Sequence, residues 1–286
     1  MSSRFSNTSI LILLTAVIAV SSCCRRCPDS VRVVAVGNSF TEDATEHYLY
    51  ELLSEAGIDA VVGNCYIGGC TLQRHWENES SSDSTLKYSN RYTKITSEGK
   101  ERTYNLSIKD ILEDEPWDYV VFQQGKGLYG IESSHRPYLD SLLNYTASIL
   151  GDYTSAYQMN WAFPQNSSDT VRFAIYDCDQ KKMYEQCRDC ALSLQKDPGV
   201  DLIIPTGTAI QLGRETRLGD TFNRDWGHLS YLSGRYTASC TWFEAITGID
   251  VTKLSYRPEE LSEEDAALCR SCAHKAVKSF RAKARL

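Results

Sequence analysis

The sequence lacks the features that define several large classes of protein. Its longest apolar run, residues 10–20, is much shorter than the ~20 apolar residues that cross a bilayer as a helix. Basic residues are not in excess, since 30 Lys and Arg face 37 Asp and Glu, so no nucleic-acid partner is expected. Only 7 Pro and 17 Gly occur in 286 residues, without an internal repeat or a long low-complexity stretch. Multi-span membrane, collagenous, repeat and disordered proteins are therefore excluded, and the length suffices for a sizeable core.

Cysteine, in contrast, is abundant with 11 copies, and part of that number belongs to the N-terminus. Arg4 is the only charged side chain before the apolar run at residues 10–20. This run is too short to span a bilayer but suits the core of a signal peptide. It leads into Val20-Ser21-Ser22-Cys23, which resembles the bacterial lipobox, where small residues precede a cysteine that is lipidated and becomes the first residue of the mature chain.

We therefore expect an exported bacterial lipoprotein held at the periplasmic face of a membrane or at the cell surface. Residues 1–22 would be the signal peptide, Cys23 the lipidation site and residues 23–30 a tether. The membrane would be a partner through this lipid anchor. The alternatives are an ordinary secretory signal cleaved near Ser22 and lipidation of Cys24 instead.

Short β-branched runs that alternate with helical segments predict an α/β body, with residues 31–286 forming one domain. Strands separated by helical crossovers imply a parallel sheet with helices on both faces. Residues 76–105 turn polar and are interpreted as an inserted loop plus an exposed hairpin. Strands are expected at residues 31–36, 59–62, 119–122, 156–161 and 200–204. Helices are expected at residues 41–57, 107–113, 137–150, 175–194, 228–246 and 259–285.

A serine follows the first predicted strand, in the segment Gly37-Asn38-Ser39. The carboxyl edge of a parallel sheet is where α/β folds bind ligands, so this hydroxyl is well placed for chemistry. The serine N–H also lies beside a helix N-terminus, which suits it to a developing oxyanion. Taken alone, the segment is equally good turn and helix-cap chemistry.

A second segment pairs an acid with a histidine, because Asp225 stands three residues before His228 in a loop that precedes a predicted helix. Such an Asp can orient the imidazole and stabilise its protonated form while the other ring nitrogen takes a proton from a serine. The alternative is that Asp225 caps the helix and His228 lies in its first turn. The presence of the serine segment in the same chain makes that alternative less plausible.

Together the two segments resemble the SGNH/GDSL hydrolase superfamily, whose serine follows the first strand and whose Asp-x-x-His lies near the C-terminus. The resemblance implies Ser39 as nucleophile, His228 as base and Asp225 as its partner. Gly69, in the Gly68-Gly69 pair after the second strand, matches the glycine whose N–H joins that of Ser39 in the oxyanion hole.

Longer strings make the chain similar to one branch of that superfamily, the uncharacterised lipoproteins of the DUF4886 group. The similarity covers roughly residues 31–250 and implies a three-layer, flavodoxin-like α/β fold with a parallel sheet of about five strands. It implies neither a metal nor an organic cofactor. The strings are Gly-Asn-Ser-Phe-Thr-Glu-Asp-Ala, Tyr-Ile-Gly-Gly-Cys-Thr-Leu, Phe-Gln-Gln-Gly and Pro-Thr-Gly-Thr-Ala-Ile-Gln.

One block departs from the superfamily pattern. A Gly-x-Asn-Asp segment normally follows the third strand, and its Asn donates a side-chain N–H to the oxyanion. Here the segment contains Gln123-Gln124-Gly125 instead. A Gln amide has the same two donors on one extra methylene. Similarity to sialate-acetylesterase-like relatives, which have Gln-Gly-Glu there, favours Gln124, with Gln123 as the alternative.

Three further residues are candidates for substrate contacts. His75 follows the Gly-Gly loop, and Asn160 and Trp161 end a predicted strand on the catalytic edge. Trp161 would stack on a sugar ring. The alternatives are a solvent-facing loop for His75 and core packing for the tryptophan.

Two Cys-x-x-Cys pairs, Cys187-Arg-Asp-Cys190 and Cys269-Arg-Ser-Cys272, raise the question of a zinc site. Both lie in predicted helices and 78 residues separate them, whereas zinc ribbons place their pairs on turns. Disulfides or buried apolar thiols are therefore the preferred interpretation in an exported protein. Cys65 and Cys70 flank the Gly-Gly loop and are candidates for a bridge across it.

These observations predict a serine esterase that removes O-acetyl or other acyl groups from a carbohydrate through an acyl-enzyme, without a cofactor. The partner would be an acylated glycan or another small ester, and the glycan preference is analogy with surface-attached members of the superfamily. The alternatives are a lipid or aryl esterase with the same triad and a non-catalytic, glycan-binding lipoprotein.

Overall fold

One seven-stranded sheet organises the part of the chain that the computed structural model describes, residues 28–196 and 199–283. Its strands are β1 (Ser30–Gly37), β2 (Asp59–Tyr66), β3 (Asn90–Thr96), β4 (Gly99–Leu106), β5 (Tyr119–Phe122), β6 (Thr154–Gln158) and β7 (Leu202–Ile204). Their spatial order is β4-β3-β2-β1-β5-β6-β7. β2, β1, β5, β6 and β7 run parallel, which confirms the predicted five-stranded parallel sheet.

The predicted polar insertion contains the hairpin of β3 and β4, but the hairpin is part of the sheet. β3 pairs antiparallel with β2, and β4 pairs antiparallel with β3. β4 is exposed along almost its whole length and has the sequence Gly-Lys-Glu-Arg-Thr-Tyr-Asn-Leu. Charged side chains on an edge strand discourage pairing with another chain, so this edge is a polar end to the sheet.

Helices cover both faces of the sheet and complete a three-layer, flavodoxin-like fold. They are α1 (Ser39–Thr45), α2 (Leu49–Glu55), α3 (Leu72–Glu79), α4 (Ser84–Lys87), α5 (Ile108–Leu112), α6 (Tyr138–Leu150), α7 (Thr170–Phe173), α8 (Gln180–Lys196), α9 (Thr206–Arg214), α10 (Ser233–Thr247) and α11 (Glu263–Lys283). The chain moves from β1 to β2 in one direction and from β5 to β6 in the other. Right-handed crossovers therefore place α1 and α2 opposite α6. α10 packs on α1 and α2, and α11 covers its outer side, which is why α10 is buried nearly all round.

Several helix boundaries differ from the prediction, for local reasons. α8 begins at Gln180 rather than residue 175, because Asp177 and Cys178 adopt left-handed φ angles of 56° and 53°. α10 begins at Ser233, so His228 lies in a loop and not in a helix. α9 was not predicted, since its Thr-Gly-Thr start has low helix propensity. Gly207 is needed there because a Cβ at that position would lie 2.2 Å from the Asn160 carbonyl oxygen.

The cysteines of the described region are all unpaired, so the disulfide expectation is not met and the buried-thiol alternative applies. Cys65 and Cys70 do not bridge the Gly-Gly loop, and the two Cys-x-x-Cys pairs do not converge on one point within the described residues. Burial raises the pKa of the Cys187 thiol well above its ordinary value, which makes it an inert core residue. The predicted signal peptide, the lipidation site Cys23 and most of the tether lie outside the described residues.

The order of the strands decides where a site can form. β1 lies between β2 and β5, and the connections leaving β1 and β5 go to opposite faces of the sheet. Loops diverge at such a switch point, so a crevice opens at the carboxyl ends of these strands. Within the described ranges, no helix has the length and apolarity needed to cross a membrane.

Candidate active site

The predicted nucleophile lies in the turn after β1, and this turn is hydrogen-bonded to the loop after β2. Ser39 is the first residue of α1, and Asn38 caps the helix by accepting the Phe40 N–H on its side-chain oxygen at 2.9 Å. The Asn38 amide also donates to the Cys70 carbonyl at 2.8 Å, which ties this turn to the loop after β2. Because the first N–H groups of a helix have no partner within it, the Ser39 N–H is available to a ligand.

The acid–histidine segment approaches this serine with hydrogen-bond geometry. The Nε2 of His228 lies 2.9 Å from the Oγ of Ser39, and its Nδ1 lies 2.8 Å from the Oδ2 of Asp225. The Oδ1 of Asp225 accepts the backbone N–H groups of Gly227 and His228 at 2.9 and 2.8 Å. The structure thus brings the three predicted catalytic residues together in one chain of hydrogen bonds.

The charge on Asp225 decides which tautomer His228 adopts. Partial burial alone would raise the pKa of Asp225, but the N–H groups of Gly227 and His228 and the imidazole together lower it below its ordinary value. The carboxylate is therefore ionised at neutral pH and accepts a hydrogen bond from the Nδ1–H group of His228. This leaves Nε2 as an acceptor for the Ser39 hydroxyl, the arrangement that general-base catalysis needs.

Aromatic rings fix the position of the imidazole. The rings of Phe40 and Trp226 lie edge-on to His228, with centroid distances of 5.6 and 5.2 Å. Trp161 stacks on Phe40 at 4.7 Å and donates its indole N–H to the Gly227 carbonyl at 2.7 Å. The Asp-x-x-His loop is therefore held from the core side as well as by its own turn.

A buried carboxylate on the nucleophile helix holds both ends of that loop. Asp43, in α1, accepts Nη1 of Arg224 at 2.9 Å and the N–H of Leu229 at 2.9 Å. Its other contact is Nε of Arg235 in α10, at 2.8 Å. Arg224 precedes Asp225 and Leu229 follows His228 in the sequence. One side chain, only 1% exposed, thus ties the serine helix to the acid–histidine loop.

Replacement of Asp43 by alanine is expected to lower the free energy of unfolding by about 3 kcal/mol, because it leaves the partly buried charges of Arg224 and Arg235 without their buried partner. Urea unfolding followed by circular dichroism measures the change. The matched control is Asp59→Ala, which breaks an ion pair with Arg32 at a carboxylate that is 70% exposed. We expect the control to lose less than about 1 kcal/mol. Equal losses of unfolding free energy in the two variants would show that Asp43 stabilises the fold no more than an exposed carboxylate does.

Ser39 and His228 open onto a cavity of about 290 Å³ at the switch point of the sheet. Its other lining residues are Asn38, Phe40, Tyr66, Gly69, Gly125, Lys126, Tyr129, Arg172 and Trp226. A larger and more open hollow, of about 520 Å³, lies beside the amino ends of β1, β5 and β6 and contains none of the predicted site residues.

Gly69, the predicted second oxyanion donor, lines the cavity beside Ser39 and His228. The predicted third donor, Gln124, does not line it. The Gln124 side-chain oxygen accepts the N–H groups of Leu72 and Gly125 at 3.1 and 2.9 Å. Its amide nitrogen donates to the Ser134 carbonyl at 2.8 Å. Gln124 is thus fully engaged in holding loops together, which corrects the expectation that it binds the oxyanion.

Gln123, the alternative third donor, is not a lining residue of the cavity either. It is fully buried, and its side-chain oxygen accepts an N–H of Asn160 at 2.7 Å. Its amide nitrogen has no hydrogen-bond partner in the described part of the chain, yet Gln123 does not line the cavity. The loop after β5 instead presents Gly125 and Lys126 there.

The three predicted substrate contacts are buried structural residues. His75, Asn160 and Trp161 have no exposed surface, so none can touch a substrate without rearrangement. Nε2 of His75 lies 2.9 Å from the Gly37 carbonyl oxygen, and burial lowers the pKa of His75 to about 4, which keeps the ring neutral. The amide of Asn160 donates to the Gln124 carbonyl at 2.8 Å. These contacts correct the predicted binding roles.

Sequence reasoning missed several cavity residues. Asn38 and Trp226 stand next to catalytic residues in the two motif segments, so their place in the cavity could have been predicted from the sequence. Tyr129 lies in a loop and Arg172 in the short helix α7, neither within a motif, and only the fold brings them to the cavity.

Outside the cavity, one group of metal-ligating side chains converges within the described ranges. Glu244, Asp250 and His274 place ligand atoms within 4.8 Å of one another at the far end of α10. Nδ1 of His274 already lies 2.9 Å from Glu244 and 3.3 Å from Asp250. We assign no metal to this group, because its members bind each other.

Comparison with known proteins identifies the family and the fold of the chain. A crystal structure of a DUF4886 family protein from Bacteroides uniformis is 39% identical, with a TM-score of 0.83, and the match covers 87% of this chain and 95% of that one. An SGNH hydrolase candidate from Slackia heliotrinireducens shares the fold at 17% identity and a TM-score of 0.51, over 76% of this chain and 99% of that one. No curated protein matches the sequence. The family model described as "Domain of unknown function (DUF4886)" matches residues 32–276, and the chain therefore belongs to the DUF4886 family, with an SGNH-like fold.

Proposed function

We propose that the protein is a serine hydrolase that cleaves carboxylic esters through an acyl-enzyme on Ser39. The observation that carries the proposal is the chain of hydrogen bonds from Ser39 through His228 to Asp225, at 2.9 and 2.8 Å, at the wall of a cavity. A serine, a histidine and a carboxylate in this arrangement are recognised by geometry and not by position in the sequence.

In the first half of the reaction, Nε2 of His228 takes the Ser39 proton while Oγ attacks the ester carbonyl carbon. The backbone N–H groups of Ser39 and Gly69 stabilise the negative oxygen of the tetrahedral intermediate. The imidazolium, held by ionised Asp225, then gives its proton to the leaving alcohol. An acyl group remains on Ser39.

In the second half, water attacks the acyl carbon and His228 again acts as the base. The tetrahedral intermediate collapses, Ser39 recovers its proton and the carboxylic acid leaves. Because Gln124 is hydrogen-bonded to other loops and neither glutamine lines the cavity, we assign stabilisation of the oxyanion to backbone donors. This differs from the side-chain donor that the family resemblance implies.

A fluorophosphonate probe tests the proposal, because such probes form a covalent bond with an activated serine. We expect the folded wild-type protein to gain the mass of one phosphonyl group, the probe less hydrogen fluoride, with Ser39 as the labelled residue. Failure of correctly folded protein to label would overturn the proposal and favour the non-catalytic, glycan-binding alternative.

For the substrate, we propose short acyl esters of carbohydrates, acetyl esters in particular. The volume of about 290 Å³ is small for a ligand pocket, and the walls combine the rings of Tyr66 and Trp226 with polar groups. An apolar tunnel for a long acyl chain would favour the lipid esterase alternative.

Assays on two series of esters test this substrate class. We expect acetate release from at least one member of a panel of acetylated glycans. We also expect kcat/KM for 4-nitrophenyl acetate to exceed that for the octanoate at least about tenfold, since each misfitting methylene is costly. A preference for octanoate, or no acetate release from any glycan, would contradict the proposal and favour the lipid or aryl esterase.

The lipobox-like Val20-Ser21-Ser22-Cys23 segment supports a further proposal, that the protein is exported and anchored through a lipid on Cys23. The catalytic domain would then act at a membrane surface on esters in the surrounding solution or envelope.

A further inference from the structure

The walls of the active-site cavity are positively charged although the chain as a whole is acidic. Lys126 and Arg172 line the cavity, whereas no Asp or Glu of the described residues does so. The net charge of the whole chain is −7. A cleft lined by one sign of charge between low-dielectric walls concentrates ligands of the opposite sign.

Lys126 is the cation that remains available to a ligand. Arg172 already pairs with Asp169 and lies over the ring of Trp226, 5.1 Å from its centroid. Lys126 is exposed, and in the described part of the chain its ammonium group makes no ion pair or hydrogen bond. Its charge is therefore not offset by a carboxylate in contact with it.

The backbone that bears Lys126 is fixed on both sides. Gly125 packs so closely on the loop after β2 that a Cβ there would lie 2.0 Å from the Cys70 carbonyl oxygen. The carbonyl of Gly127 accepts the hydroxyl of Tyr176 at 2.6 Å. Lys126 itself has a φ of 55°, a left-handed conformation that is uncommon for a residue other than glycine. The backbone of Lys126 is thus held in place at the cavity wall.

We propose that Lys126 selects esters that carry a negatively charged group, and that the natural substrate is such an ester. The inference rests on the proposed ester hydrolysis and names its substrate class. With the ester carbonyl at Ser39, a carboxylate, sulfate or phosphate elsewhere on the substrate pairs with the Lys126 ammonium. The charge belongs to either the acyl group or the alcohol, since the cavity holds both around Ser39.

Two matched pairs of esters test the proposal and locate the charge. The first pair is 4-nitrophenyl hemisuccinate and 4-nitrophenyl butyrate, which differ by a carboxylate on the acyl side. The second pair is 4-acetoxybenzoate and 4-acetoxybenzamide, which differ by a carboxylate on the alcohol side. The measured quantity is the ratio of kcat/KM for the charged ester to kcat/KM for its neutral partner.

We expect Lys126→Gln to lower this ratio about fivefold in at least one pair, the size of effect that an exposed ion pair produces. Lys126→Arg keeps the charge and should keep the ratio. The matched control is Lys253→Gln, an exposed lysine beyond the far end of α10, which starts near the site and is about 22 Å long. A response in the first pair assigns the charge to the acyl group, and a response in the second assigns it to the alcohol.

Unchanged ratios in both pairs, within the variation of the Lys253→Gln control, would overturn the charge selection. That outcome is distinct from failure of the proposed hydrolysis. In this assay the proposed hydrolysis fails if Ser39→Ala hydrolyses the neutral esters as fast as the wild-type protein does.

Discussion

Replacement of Ser39 by alanine is expected to lower kcat for ester hydrolysis by about a thousandfold or more, and to abolish fluorophosphonate labelling. The change removes the oxygen that lies 2.9 Å from Nε2 of His228, so no acyl-enzyme can form. The residual rate would come from water attack on an ester still bound beside the oxyanion donors. Initial rates with 4-nitrophenyl acetate, measured against the uncatalysed reaction, give the result.

The fold should survive this substitution, which makes the test clean. Asn38 caps α1 through its own side chain, so the Ser39 hydroxyl is not needed for the helix to begin. Ser148→Ala is the matched control, because Ser148 is an exposed serine of α6 whose hydroxyl, among the described residues, donates only to the Tyr145 carbonyl of the same helix. Ser39→Ala with wild-type activity and an unchanged circular dichroism spectrum would contradict the assignment of the nucleophile.

Replacement of Asp225 by asparagine is expected to lower kcat by about 10³- to 10⁴-fold while leaving the loop in place. The asparagine oxygen can still accept the N–H groups of Gly227 and His228, which Oδ1 accepts at 2.9 and 2.8 Å. The NH₂ group of the asparagine, however, is a hydrogen-bond donor at the place where Oδ2 accepted the hydrogen bond of the Nδ1–H group. His228 would then be protonated at Nε2, and it could not take the proton of Ser39.

The same substitution has a predictable pH dependence. Because the folded protein holds the pKa of Asp225 below its ordinary value, the ionised carboxylate contributes stability above the unfolded-state pKa of about 3.9. This contribution is lost as the pH falls through the lower, folded-state pKa. The difference in the free energy of unfolding between the wild-type protein and Asp225→Asn should therefore be largest at neutral pH and shrink in acid.

Urea titrations at several pH values measure this difference, and a pH profile of kcat measures the catalytic effect. Asp152→Asn, at an exposed residue outside the cavity, is the control. A kcat of Asp225→Asn within tenfold of the control would show that the carboxylate is not needed to orient His228.

The catalytic residues were predictable because their signals are local. A serine directly after a buried strand and an acid three residues before a histidine each depend on a few neighbouring positions. The parallel sheet whose carboxyl edge bears Ser39 followed from the alternation of strands and helices. The start of α10 was less predictable, since residues 228–232 have helical composition but pair with the loop before them, as in the Arg224 N–H to His228 carbonyl bond of 2.9 Å.

The side chains that bind substrate were not predictable in the same way. Gln124, Asn160 and Trp161 have the right chemistry and lie at the right edge of the sheet, but they are hydrogen-bonded to other groups of the protein and do not line the cavity. The direction of a buried polar side chain is decided by which backbone groups lack a partner after folding. A single sequence does not reveal this, and Arg172 has no motif to mark it.

The reactivity of the unpaired thiols in the core measures how readily the segments that bear them open. Buried cysteines such as Cys187 in α8 and Cys240 in α10 react with an alkylating reagent only when their segment opens, whereas Cys178 is exposed and reacts at once. The order in which these sites are alkylated under native conditions therefore ranks the opening free energies of the elements that bear them. The opening free energy of α10, which supports the acid–histidine loop, can thus be compared with that of α8 without introducing a new cysteine.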